Sequence, residues 1–189
     1  MKLKIPTSPA WTEAVLQDFD SFLQDHANCE RKASGSAMNM VSHYPDRKEL
    51  VPVMIDLARE ELEHFQQVYT HMAARGLTLG ADRKDPYIQR FSKEYRKGSD
   101  AYFLDRLLVS GILEARGCER FGLVASALPP GPLRDFYREI TRSEARHQGL
   151  FVRLALLYFD PALVEARLEE LLGAEARIVA ELPPRPALH

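Results

Sequence analysis

Apolar residues recur every three to four positions over four long stretches of the chain, which is the period of an amphipathic α-helix. The stretches run from about residues 20 to 42, 47 to 75, 99 to 127 and 132 to 159. Helix-breaking residues separate them, namely Pro45, Gly76 and the run Pro129-Pro130-Gly131. We therefore predict an all-α protein whose residues 1–189 form a single domain.

The connections between these stretches predict how the helices pair. Short turns at residues 44–46 and 127–131 close two hairpins, whereas about 22 residues separate the second helix from the third. Two hairpins joined by one long crossover are the topology of a ferritin-like four-helix bundle. Asp85-Pro86 predicts a short helix within the crossover, and Asp160-Pro161 predicts a further helix over residues 161–177. The proline-rich residues 183–186 predict a loose tail.

Each predicted hairpin carries one glutamate on its first helix and a Glu-x-x-His motif about 30 residues later on its second. Three residues are close to one helical turn, so the motif's two side chains leave the same face. These carboxylates fall in apolar stripes, where burial is costly unless a cation is bound. Such a set on four helices is the ligand set of a di-iron or di-manganese site. The predicted ligands are Glu30, Glu61, His64, Glu114, Glu144 and His147.

The alternative is that both histidines merely lie on the inner side of amphipathic helices. A pattern that occurs twice, each time with its partner glutamate, argues against that alternative.

Side chains next to the motifs are candidates for supporting the ligands. Glu60 can reach sideways to orient a distant histidine, a role that metal sites commonly need, or it can form a surface salt bridge. Ser143 holds the matching position in the second hairpin. Small residues such as Ser34 either pack the helices closely or leave room beside the site. Gly111, in the interior of the third helix, indicates that space or a bent backbone is wanted near the metal.

Basic residues cluster in two places that can receive phosphates. Arginines recur every four positions along the fourth helix, and bases alternate with aromatic residues in the crossover. The alternative in both places is a solvated helix surface with local ion pairs. The formal net charge of −2 excludes a basic coat over the whole surface but permits a local patch. The candidate phosphate-binding residues are Arg134, Arg138, Arg142, Arg90, Lys93, Arg96 and Lys97.

The distribution of apolar residues and cysteines indicates where in the cell the protein is found. No stretch approaches the ~20 apolar residues of a membrane span, and the N-terminal residues lack the apolar segment of a signal peptide. Two cysteines, Cys29 and Cys118, do not make a disulfide framework, and Cys118 is predicted to be a core residue. A cytoplasmic protein without membrane attachment is the expectation.

The ligand motifs and their flanking residues resemble one family over nearly the whole length of the chain. The residues that carry the resemblance are Cys29 to Ala33, Ala58 to Phe65, Gly111 to Arg116 and Ser143 to His147. The chain is similar to the tRNA 2-methylthio-N6-isopentenyladenosine hydroxylases, bacterial members of the ferritin-like superfamily. The metal motifs are specific only to the superfamily, and their flanks narrow the resemblance to this family.

The resemblance implies a non-haem di-iron monooxygenase that uses O2 to hydroxylate the isopentenyl group of a modified adenosine beside the tRNA anticodon. It implies two iron ions held by the six predicted ligands, with Glu61 and Glu144 as bridges. It also implies tRNA as substrate, which makes the candidate phosphate-binding residues candidate tRNA-binding residues, and it implies an external electron-transfer partner. The donor, the choice of iron over manganese and the tRNAs accepted stay open, as does the oligomeric state, for which we favour a monomer.

The same ligand set occurs in proteins with other functions, and each of those functions requires a further feature. A ferritin-like or rubrerythrin-like protein oxidises iron or destroys peroxide, but a storage ferritin must assemble a shell. A rubrerythrin usually adds a Cys-x-x-Cys module, which is absent from this sequence. A tyrosyl-radical protein should place a tyrosine one turn after the first histidine, where this chain has Val68, and Tyr69 falls on another face.

Overall fold

The computed structural model describes residues 1–82 and 84–189, in which all regular structure is helical. Arg83, one of the bases of the crossover, lies outside the described residues. Four long helices form two antiparallel hairpins joined by the crossover, which is the ferritin-like arrangement. A single 3-10 turn spans Ser92–Glu94. The helices are α1 (Pro9–Gln17), α2 (Phe19–His43), α3 (Leu50–Ala74), α4 (Pro86–Phe91), α5 (Ser99–Ala127), α6 (Pro132–Tyr158) and α7 (Pro161–Glu181).

Local chemistry explains where the helices begin and end. Helix α3 begins at Leu50, later than the predicted start near residue 47, so Pro52 falls in the first turn, where a backbone N–H has no intrahelical partner anyway. Gly76 ends α3 with a φ of 72°, and Leu77 N donates to Met72 O at 3.0 Å. Asp160 caps α7 by accepting from the backbone N–H of residues 162 and 163. Helix α7 continues to Glu181, four residues beyond the predicted end.

The chain divides into two compact units, and each hairpin belongs to one of them. The first unit comprises Met1–Thr12, Lys84–Pro184 and His189, and therefore holds α5, α6 and α7. The second comprises Glu13–Arg83 and Arg185–Leu188, and holds α2 and α3.

Small residues on the ligand-bearing helices close the packing within each hairpin. Ser34 Oγ donates to Ala58 O at 2.8 Å and so joins α2 to α3. A Cβ on Gly111 would lie 3.3 Å from the Cβ of Phe151, so glycine allows α5 and α6 to approach closely. At Ser34 the observed role is close helix packing, and at Gly111 the space left by the missing side chain is filled by Phe151 of α6.

A buried network of ions supports the first unit. The Arg116 guanidinium, fully buried on α5, donates two hydrogen bonds to the equally buried Glu175 of α7, at 2.8 and 3.0 Å. Tyr87 of α4 donates to the same carboxylate at 3.1 Å. Arg116 also donates to Thr7 Oγ1 at 3.0 Å, which fastens the N-terminal segment. This network was not predicted, because partners so distant in sequence leave no local signal.

The prediction of a loose tail was wrong for the last residues of the chain. Ala187 and Leu188 are buried, and Leu188 N donates to Asp25 Oδ2 at 2.7 Å in the second unit. In the first unit the ring of His189 stacks on Tyr87, with centroids 5.4 Å apart. Burial of two apolar side chains and a charge-assisted hydrogen bond offset the entropy that ordering this segment costs.

Among the described residues, no helix combines the length and the apolar character that crossing a bilayer requires.

Candidate metal centre

The hairpin of α2 and α3 brings its three predicted ligands together. His64 Nδ1 lies 3.3 Å from Glu61 Oε2 and 3.7 Å from Glu30 Oε2. All three residues are buried. Glu30 projects from the middle of α2, and Glu61 and His64 share one face of α3 because they are three residues apart. We call Glu30, Glu61 and His64 the first triad.

A fourth side chain, His26, completes this hairpin's polar cluster. It is fully buried on α2, one turn before Glu30, and its Nε2 donates to Glu30 Oε1 at 2.6 Å. The ring must present Nε2–H, because a carboxylate only accepts. His26 was not among the predicted site residues. Its spacing of four residues from Glu30 was the available signal, since positions i and i+4 share a helix face.

The charges of the first triad explain its pKa shifts. Burial opposes ionisation of Glu30, but the hydrogen bond from His26 and the nearby His64 outweigh burial and hold the pKa of that carboxyl well below its usual range. Burial also opposes the charge on His64, yet its contacts with Glu30 and Glu61 outweigh burial and raise the pKa of His64 to about 10. The two carboxylates thus hold a cationic imidazolium between them, so the pocket favours positive charge.

The hairpin of α5 and α6 repeats the arrangement more loosely. His147 Nδ1 lies 3.6 Å from Glu144 Oε2 and 3.9 Å from Glu114 Oε2. Glu144 and His147 are buried on α6, whereas the Glu114 side chain on α5 keeps 14% of its surface exposed. We call Glu114, Glu144 and His147 the second triad.

The donor atoms of each triad fit a metal ion. Within each triad, one ligand atom per residue lies within 4.8 Å of the other two. Ligands about 2.1 Å from one ion are at most about 4.2 Å apart, so side-chain shifts of a few tenths of an ångström would complete coordination. Carboxylates with imidazole suit iron and manganese, while the absence of thiolate disfavours soft metals. Each hairpin therefore presents a carboxylate and histidine cluster that can bind a metal.

The residues that were considered for roles beside the ligands differ in how far they are buried. Glu60 is partly exposed on α3, and its proposed role in orienting a histidine stays a prediction, as does that of Ser143. Ser143 is buried and accepts a hydrogen bond from Arg146 Nη2 at 3.1 Å.

Val68 is buried and Tyr69 is exposed, so the position where a radical tyrosine is expected holds an apolar side chain.

Cys118 is partly buried on α5, and its Sγ donates to Thr141 O at 3.4 Å. Burial, aided by the charges of Glu114 and Glu119, raises the pKa of the Cys118 thiol. The side chain is therefore a neutral packing group and not a thiolate ligand.

The candidate tRNA-binding residues of the crossover differ in their availability. Arg90 pairs with Glu181 at 2.8 Å. Arg96 donates hydrogen bonds to the buried Asp105 carboxylate from its backbone N–H and its guanidinium, at 2.8 to 3.2 Å. Both guanidinium groups therefore hold structural partners, whereas Lys93 and Lys97 are exposed. The aromatic residues Tyr87 and Phe91 of α4 are buried and cannot stack on a base from outside.

The arginine stripe of α6 is on the surface. Arg138 and Arg142 are exposed, and Arg134 is partly buried. Arg138 forms an ion pair with Asp135 at 3.7 Å, a long and solvent-exposed contact that leaves the guanidinium accessible. The stripe is therefore the more available of the two basic regions.

A comparison with protein families decides the chain's membership. Residues 1–189 match the family described as tRNA-(MS[2]IO[6]A)-hydroxylase (MiaE). The chain belongs to the MiaE family. This membership confirms the resemblance inferred from the ligand motifs and their flanks, and it makes the chain a hydroxylase-family enzyme.

Two curated relatives carry the same name, tRNA 2-(methylsulfanyl)-N(6)-isopentenyladenosine(37) hydroxylase. The protein from Pseudomonas putida KT2440 is 36% identical over 177 residues, covering 94% of this chain and 86% of the relative. The protein from Salmonella typhimurium LT2 is 32% identical over 146 residues, covering 74% of this chain. That match covers 53% of the Salmonella protein, so it spans about half of that relative's length.

A solved structure is similar over nearly the whole chain. It is described as Protein 43 with aldehyde deformylating oxygenase activity from Synechococcus. The two structures superpose with a TM-score of 0.92 at 39% sequence identity, covering 97% of this chain and 92% of the other. The predicted ferritin-like, all-α fold is confirmed.

Proposed function

We propose that this MiaE-family protein is an O2-dependent monooxygenase that hydroxylates the isopentenyl group of 2-methylthio-N6-isopentenyladenosine in tRNA. The observation that carries the proposal is the presence of two complete Glu, Glu-x-x-His triads in a chain that matches this hydroxylase family over residues 1–189. In the reaction one oxygen atom of O2 enters a C–H bond of the prenyl group. The other leaves as water, with two electrons and two protons supplied by an external donor.

The proposed cofactor is a pair of iron ions, one for each triad. Glu30, Glu61 and His64 would hold one ion, and Glu114, Glu144 and His147 would hold the other, so that the six ligands are shared equally. This sharing is supported by the inventory of four carboxylates and two imidazoles, which is that of ferritin-like dinuclear proteins. Two irons bound here would supply the redox chemistry that activates O2 toward a C–H bond.

The chain's own residues prepare this chemistry by excluding water and orienting the ligands. Four of the ligands are each less than 5% exposed, namely Glu30, Glu61, Glu144 and His147. Bulk water is therefore kept from competing with their oxygen and nitrogen atoms for a metal ion. Burial also strengthens each metal–carboxylate interaction, because the surroundings have a low dielectric constant. A dry pocket further protects a reactive oxidant from side reactions.

The proposed tRNA-binding surface is the exposed part of the α6 stripe, Arg138 and Arg142, with Lys93 and Lys97 of the crossover. Phosphate contacts from such residues position the nucleic acid without reading its sequence. Arg90 and Arg96 are less suited, because Glu181 and Asp105 already occupy their guanidinium groups. A tRNA substrate would place the enzyme in the cytoplasm, with an electron-transfer protein as its second partner.

A second candidate function is aldehyde deformylation. It is favoured by the Synechococcus oxygenase, which is 39% identical to this chain and superposes with a TM-score of 0.92. The two reactions differ in their substrates. A tRNA needs a basic surface outside the bundle, whereas an aldehyde needs only an apolar path to the ligands.

The experiment that tests the proposal combines metal analysis with a choice of substrates. The purified protein is loaded anaerobically with Fe(II), supplied with a chemical reductant and exposed to O2 with isopentenylated tRNA or with a long-chain aldehyde. We expect two irons per chain and hydroxylated nucleoside in the tRNA digest.

Other outcomes would redirect the proposal. Conversion of the aldehyde with the tRNA unchanged would support deformylation. Oxidation of Fe(II) with both substrates unchanged would favour a ferritin-like or rubrerythrin-like iron oxidase or peroxidase. Failure to bind any metal would contradict all of these functions.

A further inference from the structure

His26 is the one histidine in this hairpin that touches a predicted ligand without being predicted as one. Its ring is fully buried, and its Nε2 lies 2.6 Å from Glu30 Oε1. The ring of Phe22, one turn earlier on α2, lies 6.1 Å from it between centroids and packs against it. A buried imidazole in contact with aromatic and carboxylate groups has little freedom to rotate, so its N–H is aimed permanently at one oxygen.

The two oxygens of Glu30 face different partners. Oε1 accepts from His26 Nε2, and Oε2 lies 3.7 Å from His64 Nδ1, on the side of the first triad. A carboxylate whose first oxygen is engaged by a short hydrogen bond can offer its second oxygen to a metal at little cost. Binding through both oxygens would make Oε1 share its electron density between the metal and His26, which weakens that hydrogen bond.

We propose that His26 is a positioning residue that holds Glu30 as a one-oxygen metal ligand. This inference rests on the proposed metal centre and adds a role for a residue outside its ligand set. A ligand restricted to one oxygen keeps a coordination position available at its metal for a small molecule. His26 does not touch the reacting atoms and acts only through Glu30.

The second hairpin has a different residue at the matching position. The position one turn before Glu114 on α5 is Ser110, whose hydroxyl is on a much shorter side chain. Ser110 is partly exposed, whereas His26 is fully buried. The helix position that holds His26 before Glu30 thus carries no histidine before Glu114, and the proposed role applies to the first triad alone.

The test measures metal binding and spectroscopy rather than turnover. His26→Leu removes the donor, and His26→Gln places an amide N–H near the position of Nε2 and should rescue. His43→Leu is the matched control, because His43 lies on the same helix but is exposed. Each protein is titrated anaerobically with Co(II) and Fe(II), and visible absorption of the cobalt form reports its coordination number.

We expect His26→Leu to weaken metal binding by about 10-fold to 100-fold, the usual effect of losing a partner of a ligand. Its cobalt spectrum should become weaker, because a two-oxygen Glu30 raises the coordination number. His26→Gln should recover most of the affinity and the parent spectrum, and His43→Leu should match the parent. Should His26→Leu fold poorly, the comparison of His26→Gln with a His26→Met variant replaces it.

Parent-like affinity and spectrum in His26→Leu would overturn the role of His26 while leaving the metal centre in place. The same conclusion would follow if His26→Gln lost as much affinity as His26→Leu. A parent protein that binds no cobalt or iron would overturn the metal centre itself, and this inference with it.

Discussion

The hairpin of α2 and α3 and that of α5 and α6 each set a glutamate against a Glu-x-x-His motif, but different side chains surround the two triads. The Glu30 side chain is 4% exposed and bonded to a buried histidine, whereas that of Glu114 is 14% exposed. The histidine-to-carboxylate distances are 3.3 and 3.7 Å in the first triad and 3.6 and 3.9 Å in the second. A repeated ligand pattern therefore does not produce a repeated environment.

The supports of the two hairpins also differ. The first unit, which includes α5 and α6, contains buried ion pairs such as Arg116 with Glu175. The ion pairs seen in the second unit away from the triad are exposed, as between Arg75 and Asp20. Breaking a buried pair leaves an uncompensated charge in a low dielectric, whereas water compensates the loss of an exposed one. Loss of an ion pair should therefore lower the free energy of unfolding much more in the first unit than in the second.

The largest expected effect comes from removing a ligand of either triad. His64→Ala and His147→Ala should each weaken binding of one iron by more than about 100-fold, since even partners of ligands cost 10-fold to 100-fold. Hydroxylation should be lost in both variants, because the two ions act together. Metal analysis after anaerobic desalting measures the result, with His43→Ala as the control. Two irons retained in His147→Ala would exclude the second triad from the centre.

The next effect is on stability and compares the two units directly. Arg116→Met should lower the free energy of unfolding by about 3–5 kcal/mol, because Glu175 keeps its buried charge without its main partner. Arg75→Met removes an exposed pair and should change the free energy by less than about 1 kcal/mol. Urea unfolding of the metal-free proteins measures both. Equal losses in the two variants would contradict the difference between the units.

A third prediction uses the buried Asp105, which accepts from Arg96 and Arg167. Burial opposes its ionisation, but these hydrogen bonds outweigh burial and hold the pKa of Asp105 below its usual value. A folded pKa below the unfolded value of about 3.9 contributes stability that is present above that pH and is lost as the pH falls through the folded value.

Asp105→Asn should therefore destabilise the protein most near neutral pH, and its difference from the parent should shrink in acid. Urea unfolding at a series of pH values measures this difference. Asp20→Asn, which breaks only an exposed pair, is the control and should cost little at neutral pH. A difference between Asp105→Asn and the parent that stays constant down to about pH 3 would show that packing, not charge, is the contribution of Asp105.

The smallest expected effect concerns tRNA. Reversing the charge of Arg138 and Arg142 together should reduce the slope of log affinity against log salt by about two, if each contacts one phosphate. The control reverses Lys48 and Arg59, which are exposed in the second unit, and so changes the net charge equally. Filter binding or fluorescence anisotropy at several salt concentrations measures the slopes. A slope equal to that of the parent would remove α6 from the tRNA interface.

Helices and ligand candidates could be predicted because their signals are local. The apolar period set the four long helices to within a few residues, and the Glu-x-x-His spacing placed both side chains of each motif on one face. Within each hairpin the structure brings the predicted glutamate to its motif. Roles for Glu60 and Ser143 could not be assigned this way, because side-chain reach depends on backbone positions that spacing does not define.

Tertiary structure alone decided which polar residues are free to act. In the sequence, Arg90 and Arg96 cannot be told apart from Lys93 and Lys97 as candidate phosphate contacts. In the structure, Arg90 pairs with Glu181, which is 91 residues away, and Arg96 pairs with the buried Asp105. The final residues are buried through contacts with Asp25, far away in the chain. Sequence by itself determined the helix periods and the ligand chemistry, because both repeat over one turn. Burial and long-range pairing required the folded chain, because they depend on residues that only folding brings together.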